Sequence, residues 1–298
     1  MSPTAKRAFV ALVAVLILVN LAILVAALPE TGRIDSGCCV SGQALAKDFS
    51  AYYTAAWRLF NNPAQIYHHG SLDTGEPAVL PQPQGYKYLP SFMLLVSPLL
   101  LLPYSSALVA FDVIQFALLP VIAYLLYYLL KKQGFVVASV IAAIVLVVPL
   151  PQTVPQPVIS FSYYWQWAEG QCKVLDVCLL LTALALAKSG RPRAAGVAFA
   201  FSAFDPRFAL LAIPLMLAYT KQLRTTVVYA AGALVITNLA LLYPPTFLGF
   251  LSMVLSSGAL TPPYPYTMIP ITALVLLLIA DRDSVVSTFR DLAGKDSS

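Results

Sequence analysis

Charge is what this sequence has least of. Only 10% of its 298 residues are Asp, Glu, Lys or Arg, against about 25% in an ordinary soluble domain. Hydrophobic residues make up 59% and mean hydropathy is +0.79. A surface this poor in charge cannot be solvated all round, so the chain reads as an all-α polytopic membrane protein, one membrane domain over residues 1–298. Histidine is nearly absent, with only His68 and His69. The four cysteines, Cys38, Cys39, Cys172 and Cys178, form no C-x-x-C pair and have no histidine beside them. That argues against a zinc site, and no divalent metal is called for. The net charge of +5 comes from Lys and Arg in short connectors, with no RNP, zinc-finger or basic-helix pattern, so no nucleic-acid partner is expected. No internal repeat is visible, which argues against a transporter.

What is present is a series of apolar runs. Lys6 and Arg7 precede residues 8–28, an apolar stretch long enough to cross a hydrocarbon core of about 30 Å. It is longer than a signal-peptide core and reads as a retained anchor with a cytoplasmic N-terminus. Residues 29–88 form the longest polar segment, expected on the outer face of a cell membrane. The remaining spans fall within 89–280, and 281–298 is a charged cytoplasmic tail. Pro103 divides 89–130 into a short helix, 89–102, and a longer one, 105–130. Further spans follow at 135–150, 172–187, 225–243 and 268–280, with an aromatic interfacial stretch at 158–170 and a Pro/Tyr-rich outer loop at 244–267. Asp205, Pro206 and Arg207 interrupt the apolar run 194–219, which predicts two half-helices meeting at a polar cavity. Asp112, alone in a span, is expected to pair inside the bundle or face its cytoplasmic end. The count comes to about eight membrane helices, some short or broken.

The positive-inside rule creates one conflict. If 89–102 crosses, Lys131 and Lys132 fall outside. Either part of 152–170 crosses or re-enters, which is the reading adopted, or 89–102 does not cross fully. Within the polar segment, Asp48 precedes FSAYYTAAWRLF. Phe49, Tyr52, Tyr53, Ala56, Trp57 and Phe60 share a helical face, which predicts an amphipathic helix on the outer leaflet with Asp48 at or near its N-cap. Cys38 or Cys39 is expected to bond Cys172 on the oxidising side.

The ordered set of segments carries a resemblance. Asp48 before an aromatic helix is followed by YKYLPSFMLLVSPLLLLP, then GQCKVLDVCLLLTALALA, the basic connector SGRPRAAG, and the break Asp205-Pro206-Arg207. This order, over about residues 5–225, resembles glycosyltransferase family 87, membrane-embedded mannosyltransferases of the C-type glycosyltransferase fold. Against that family, the chain looks like a shortened member. Its break carries Asp205 before the proline where lysine is usual, and Cys172 and Lys173 follow the Gly-Gln pair.

The resemblance implies transfer of a sugar, mannose, from a polyprenyl-phosphate donor to an acceptor hydroxyl of a glycan, glycolipid or protein, with inversion. Such transfer needs a base for the acceptor proton and positive charge near the departing phosphate. Asp48 is the candidate base. Arg207, Lys173 and Lys87 are the candidate phosphate partners. Tyr52, Tyr53, Tyr88, Trp167, Glu169 and Gln171 are candidates for the sugar and acceptor. The alternative reading is a non-catalytic membrane subunit or lipid-binding scaffold of the same fold.

Overall fold

The computed structural model describes residues 3–32, 47–68, 86–147, 166–167, 170–256 and 268–295. Among them every regular element is a helix and there is no strand. Helix α1, Pro3–Gly32, contains an apolar stretch, Pro3–Ala26, of which only 17% is buried. A helix apolar on all sides and this weakly covered belongs in lipid. Helix α4, Tyr104–Leu130, is the other helix long and apolar enough to cross a membrane. The remaining apolar helices are shorter: α3, Pro90–Val96; α5, Phe135–Val147; α6, Lys173–Lys188; α7, Pro192–Ser202; α8, Pro206–Tyr219; α9, Leu223–Thr237; α10, Pro244–Ser256; and α11, Met268–Ala280. Of the about eight membrane helices expected, some short or broken, two are long and apolar enough to cross a membrane among the described residues. Pro90, Pro192, Pro206 and Pro244 each open a helix, the position where a missing N–H costs nothing.

Two ends of the bundle can be told apart by their chemistry. At one end Lys188, closing α6, donates from Nζ to Leu129 O (2.7 Å) and pairs with Asp281 (3.2 Å), which accepts from Gln133 Nε2 at 2.8 Å. Phe9 packs on Tyr127 and Phe135 there, and Thr220 and Thr226 share a hydrogen bond between α8 and α9. Lys131, Lys132, Arg191, Arg193, Lys221 and Arg224 flank the same turns. This basic end also holds the start of α12, Arg282–Lys295, a helix where a charged tail is expected from sequence.

The opposite end is built around α2, Lys47–Asn61. Its apolar face is covered by protein and does not lie bare on a leaflet. Phe49, Tyr52, Tyr53 and Ala56 are buried beneath α3, a 3-10 turn at Ser97–Leu101 and the start of α4. Phe60, by contrast, points out. Tyr53 Oη donates to Leu102 O at 2.7 Å, and Phe49 packs on Tyr104 and Phe111. Residues 90–101 lie at the α2 end, and α4 runs from there to the basic end, where Lys131 and Lys132 fall on the same side of the bundle as Lys188. The segment 152–170, expected to cross or re-enter, lies almost wholly outside the described residues.

The break at Asp205 separates α7 from α8, as expected. The two form a hairpin: α7 rises from the basic end, α8 returns to it, and the turn at Ala203–Asp205 sits at the α2 end. Leu89 N donates to Phe204 O across that end (3.2 Å), and Phe92 stacks on Phe204 at 4.6 Å. Helix α7 lies against α6 and α9. At Gly196 a Cβ would fall 2.3 Å from Thr226 O, so only glycine permits this approach of α7 to α9. Helix α10 occupies part of the segment expected to be an outer loop.

Candidate functional site

The first turn of α2 meets the start of α6. Gly170 adopts φ +62°, and a Cβ there would lie 2.7 Å from Phe49 Cβ. A glycine is required on both counts. It lets Gln171 pass directly behind Asp48 and Phe49, where Tyr52 Oη donates to Gln171 Oε1 at 3.3 Å. The helix begins at Lys47, so Asp48 stands in its first turn, near the N-cap as expected and half-buried, where a carboxylate is favoured by the exposed N–H groups. It acts electrostatically on Tyr52 and on Tyr88.

Behind these tyrosines lies a cluster of charge. Lys173 is fully buried. Its ammonium donates to Asp205 Oδ2 at 2.6 Å and to Tyr88 Oη at 3.1 Å. Arg207 forks onto the same carboxylate, with Nε on Oδ1 at 2.9 Å and Nη2 on Oδ2 at 2.8 Å. Arg207 is half exposed while Asp205 and Lys173 are not. One carboxylate therefore carries two cations, one sealed and one reaching outward. Asp205 also accepts from Arg207 N as the N-cap of α8. Burial pushes the Tyr88 phenol well above the usual tyrosine range, with nearby Cys172, Asp205 and Asp48 adding to the effect. Its hydroxyl stays protonated and accepts from the buried lysine, within electrostatic range of the half-buried Asp48.

Glutamines hold this arrangement from below. Gln115 Nε2, from α4, donates to Gln171 O at 2.7 Å, and Gln166 Nε2 donates to Gln115 Oε1 at 3.1 Å and also to Gln171 O. Gln166 Oε1 accepts from Lys173 N at 3.2 Å, satisfying an orphan donor at the start of α6. Asp176 lies one turn after Lys173, fully buried and within electrostatic range of Lys173, Asp205 and Arg207. Neither of its carboxylate oxygens has a hydrogen-bond partner among the described residues. Gln115, Gln166 and Asp176 are missing from the sequence-derived candidates. Asp176 carried the signal that marked Asp205, a charge inside an apolar run.

The structure brings together Asp48, Tyr52, Tyr88, Gln171, Lys173 and Arg207. It does not bring in the others. Lys87 is exposed between the buried Tyr86 and Tyr88 and makes no ion pair among the described residues. Tyr53 is a structural anchor on Leu102 O. Trp167 is fully buried in the bundle core against Phe116, so it offers no open face for a sugar. Glu169 lies outside the described residues. Cys172 is a free, fully buried thiol; its expected partners, Cys38 and Cys39, lie outside the described residues. Asp112 is buried in the half of α4 nearer α2, and its Oδ1 has no hydrogen-bond partner among the described residues.

Comparison with known proteins bears on this cluster. No curated protein and no solved structure is significantly similar to the chain. The family model described as "Glycosyltransferase family 87" matches residues 86–284. The match takes in Tyr88, Gln171, Lys173, Asp176, Asp205 and Arg207, and begins after α2 with its Asp48. It spans more than half of the chain, and with the apolar helices it makes this a membrane glycosyltransferase sequence. The chain belongs to glycosyltransferase family 87.

Proposed function

We propose that the chain moves a sugar, mannose, from a polyprenyl-phosphate donor to an acceptor hydroxyl with inversion, in a C-type glycosyltransferase bundle whose α2 end faces outward. One observation supports this most: a half-buried carboxylate, Asp48, stands at the same end of the bundle as Tyr88 and a cluster of two cations on one carboxylate, within electrostatic range of that tyrosine. In this reading the acceptor oxygen attacks the anomeric carbon as Asp48 takes its proton. The bond from that carbon to the phosphate oxygen breaks, and the electron pair leaves with the polyprenyl phosphate. Arg207, the outward cation, meets the phosphate. Lys173 supplies fixed positive charge behind it, positioned by Asp205 and Tyr88. The cations neutralise the leaving phosphate without a divalent metal. Gln171, buried and held by Tyr52, supports the site from behind.

Asp48→Asn is the deciding variant. Asn keeps the shape and hydrogen-bonding oxygen but accepts no proton. The rate of transfer from polyprenyl-phosphate mannose should fall by about 10²–10⁴-fold, with donor binding and melting temperature nearly unchanged. Transfer within a few-fold of wild type would remove Asp48 as the base and favour the scaffold alternative.

A further inference from the structure

A second site lies away from the charge cluster, where α10 crosses the 3-10 turn Pro63–Gln65. It is a cleft of about 230 Å³ lined by Gln65, Tyr67, His68, Gly249, Ser252 and Met253. Its walls are fixed by hydrogen bonds that leave the side chains of Gln65, His68 and Ser252 out. The buried Arg58 donates from Nη1 to Gln65 O (3.2 Å) and His68 O (2.7 Å). Thr246 Oγ1, from α10, donates to Pro63 O at 2.7 Å. Tyr67 is wedged between Tyr86 and Phe250. Gly249 lies against the same ring, which lines the cleft from a largely buried position.

Among the described residues, Gln65, His68 and Ser252 line the cleft beside the Tyr67 ring, and Arg58, a cation on the neighbouring helix, is turned onto the carbonyls of Gln65 and His68. Such a set offers donors and acceptors to hydroxyls and an aromatic wall to C–H groups. The volume is below the roughly 300–1,000 Å³ of a drug-sized pocket, suiting one ring and not a whole glycan. Tyr67 Oη donates to Tyr88 O at 3.1 Å, so the cleft shares a wall with the Lys173 cluster. We propose that this cleft binds one neutral pyranose unit of the acceptor, apart from the hydroxyl that reacts. The proposal rests on the glycosyl-transfer reading above and adds the place where that acceptor is held.

The test uses full-length protein in lipid nanodiscs with methyl hexopyranosides and their disaccharides as probes, followed by saturation-transfer NMR and titration. Wild type and Asp48→Asn should bind at least one probe. Ser252→Trp, which fills the cleft, should weaken that binding at least tenfold, as should the double variant Gln65→Ala/His68→Ala, which leaves the backbone and its Arg58 bonds in place. Binding by both cleft variants within twofold of wild type would overturn the proposal, as would no hexoside binding wild type better than methanol-capped cyclohexane. If Asp48→Asn retains transfer while the cleft variants lose the sugar, the base assignment fails and the cleft stands.

Discussion

Asp205 holds Lys173 and Arg207 on one carboxylate, and the two cations differ in how far water reaches them. Replacing Asp205 by Asn leaves a fully buried ammonium without its counter-charge. Breaking such a pair costs about 3–5 kcal/mol. Denaturation in mixed micelles should show a loss of that order for Asp205→Asn. Arg207→Gln should leave stability within about 1 kcal/mol, because an exposed ion pair contributes little, yet lower transfer at least tenfold through a raised donor KM. Equal stability loss in both variants would mean that Arg207 is a structural cation and does not reach the donor. Part of this was readable in advance. A charge inside an apolar run is costly wherever the chain puts it, so Asp205 and Arg207 stood out, while Lys173 entered only as a cation expected near the outer face. The roles of aromatics did not, because Tyr53, Trp167 and Tyr52 carry the same signal in sequence. Only packing separates an anchor on Leu102, a core residue on Phe116 and a site residue on Gln171.

At the scale of elements, α7 and α9 approach closely because Gly196 presents no side chain. Gly196→Ala would set a methyl against Thr226 O and force the two helices apart. Overpacking of this kind costs about 1–3 kcal/mol, visible as a lower melting temperature in detergent. Gly232, on α9, has nothing within 4 Å of a Cβ position, so Gly232→Ala should be neutral or stabilising by up to about 1 kcal/mol. The same change at both positions with the same effect would rule out close packing as the reason for Gly196. The helix boundaries of α2, α6 and α8 were legible from periodicity, caps and breaks. That of α10 was not, because YPPTFLGF reads as loop when its prolines are counted as breakers. They instead occupy the first turn, where proline is tolerated. The placement of 89–102 turned on hydrogen bonds to distant residues, Leu89 to Phe204 and Ser91 to Asn238, which no local pattern announces.

For the whole molecule, the gathering of Lys132, Ser189 and Asp281 at one end makes sidedness testable. In a cysteine-free background, single cysteines at Lys132 and Ser189 should be labelled from the same side of the membrane, and one at Lys87 from the opposite side. Labelling of Lys132 and Ser189 from different sides would break the run of α4 to the basic end.

The hairpin of α7 and α8 has a consequence for the bilayer itself. Eleven and fourteen residues reach roughly 16 and 21 Å at 1.5 Å per residue, while the hydrocarbon layer is about 30 Å thick. With its feet at the basic interface, the turn at Ala203–Asp205 ends well short of the far headgroups. The leaflet beside it must dip, or water must descend to the turn. In both cases the depth of Arg207 is set by helix length, and under the proposed reading a donor phosphate would meet it where the membrane is thinnest.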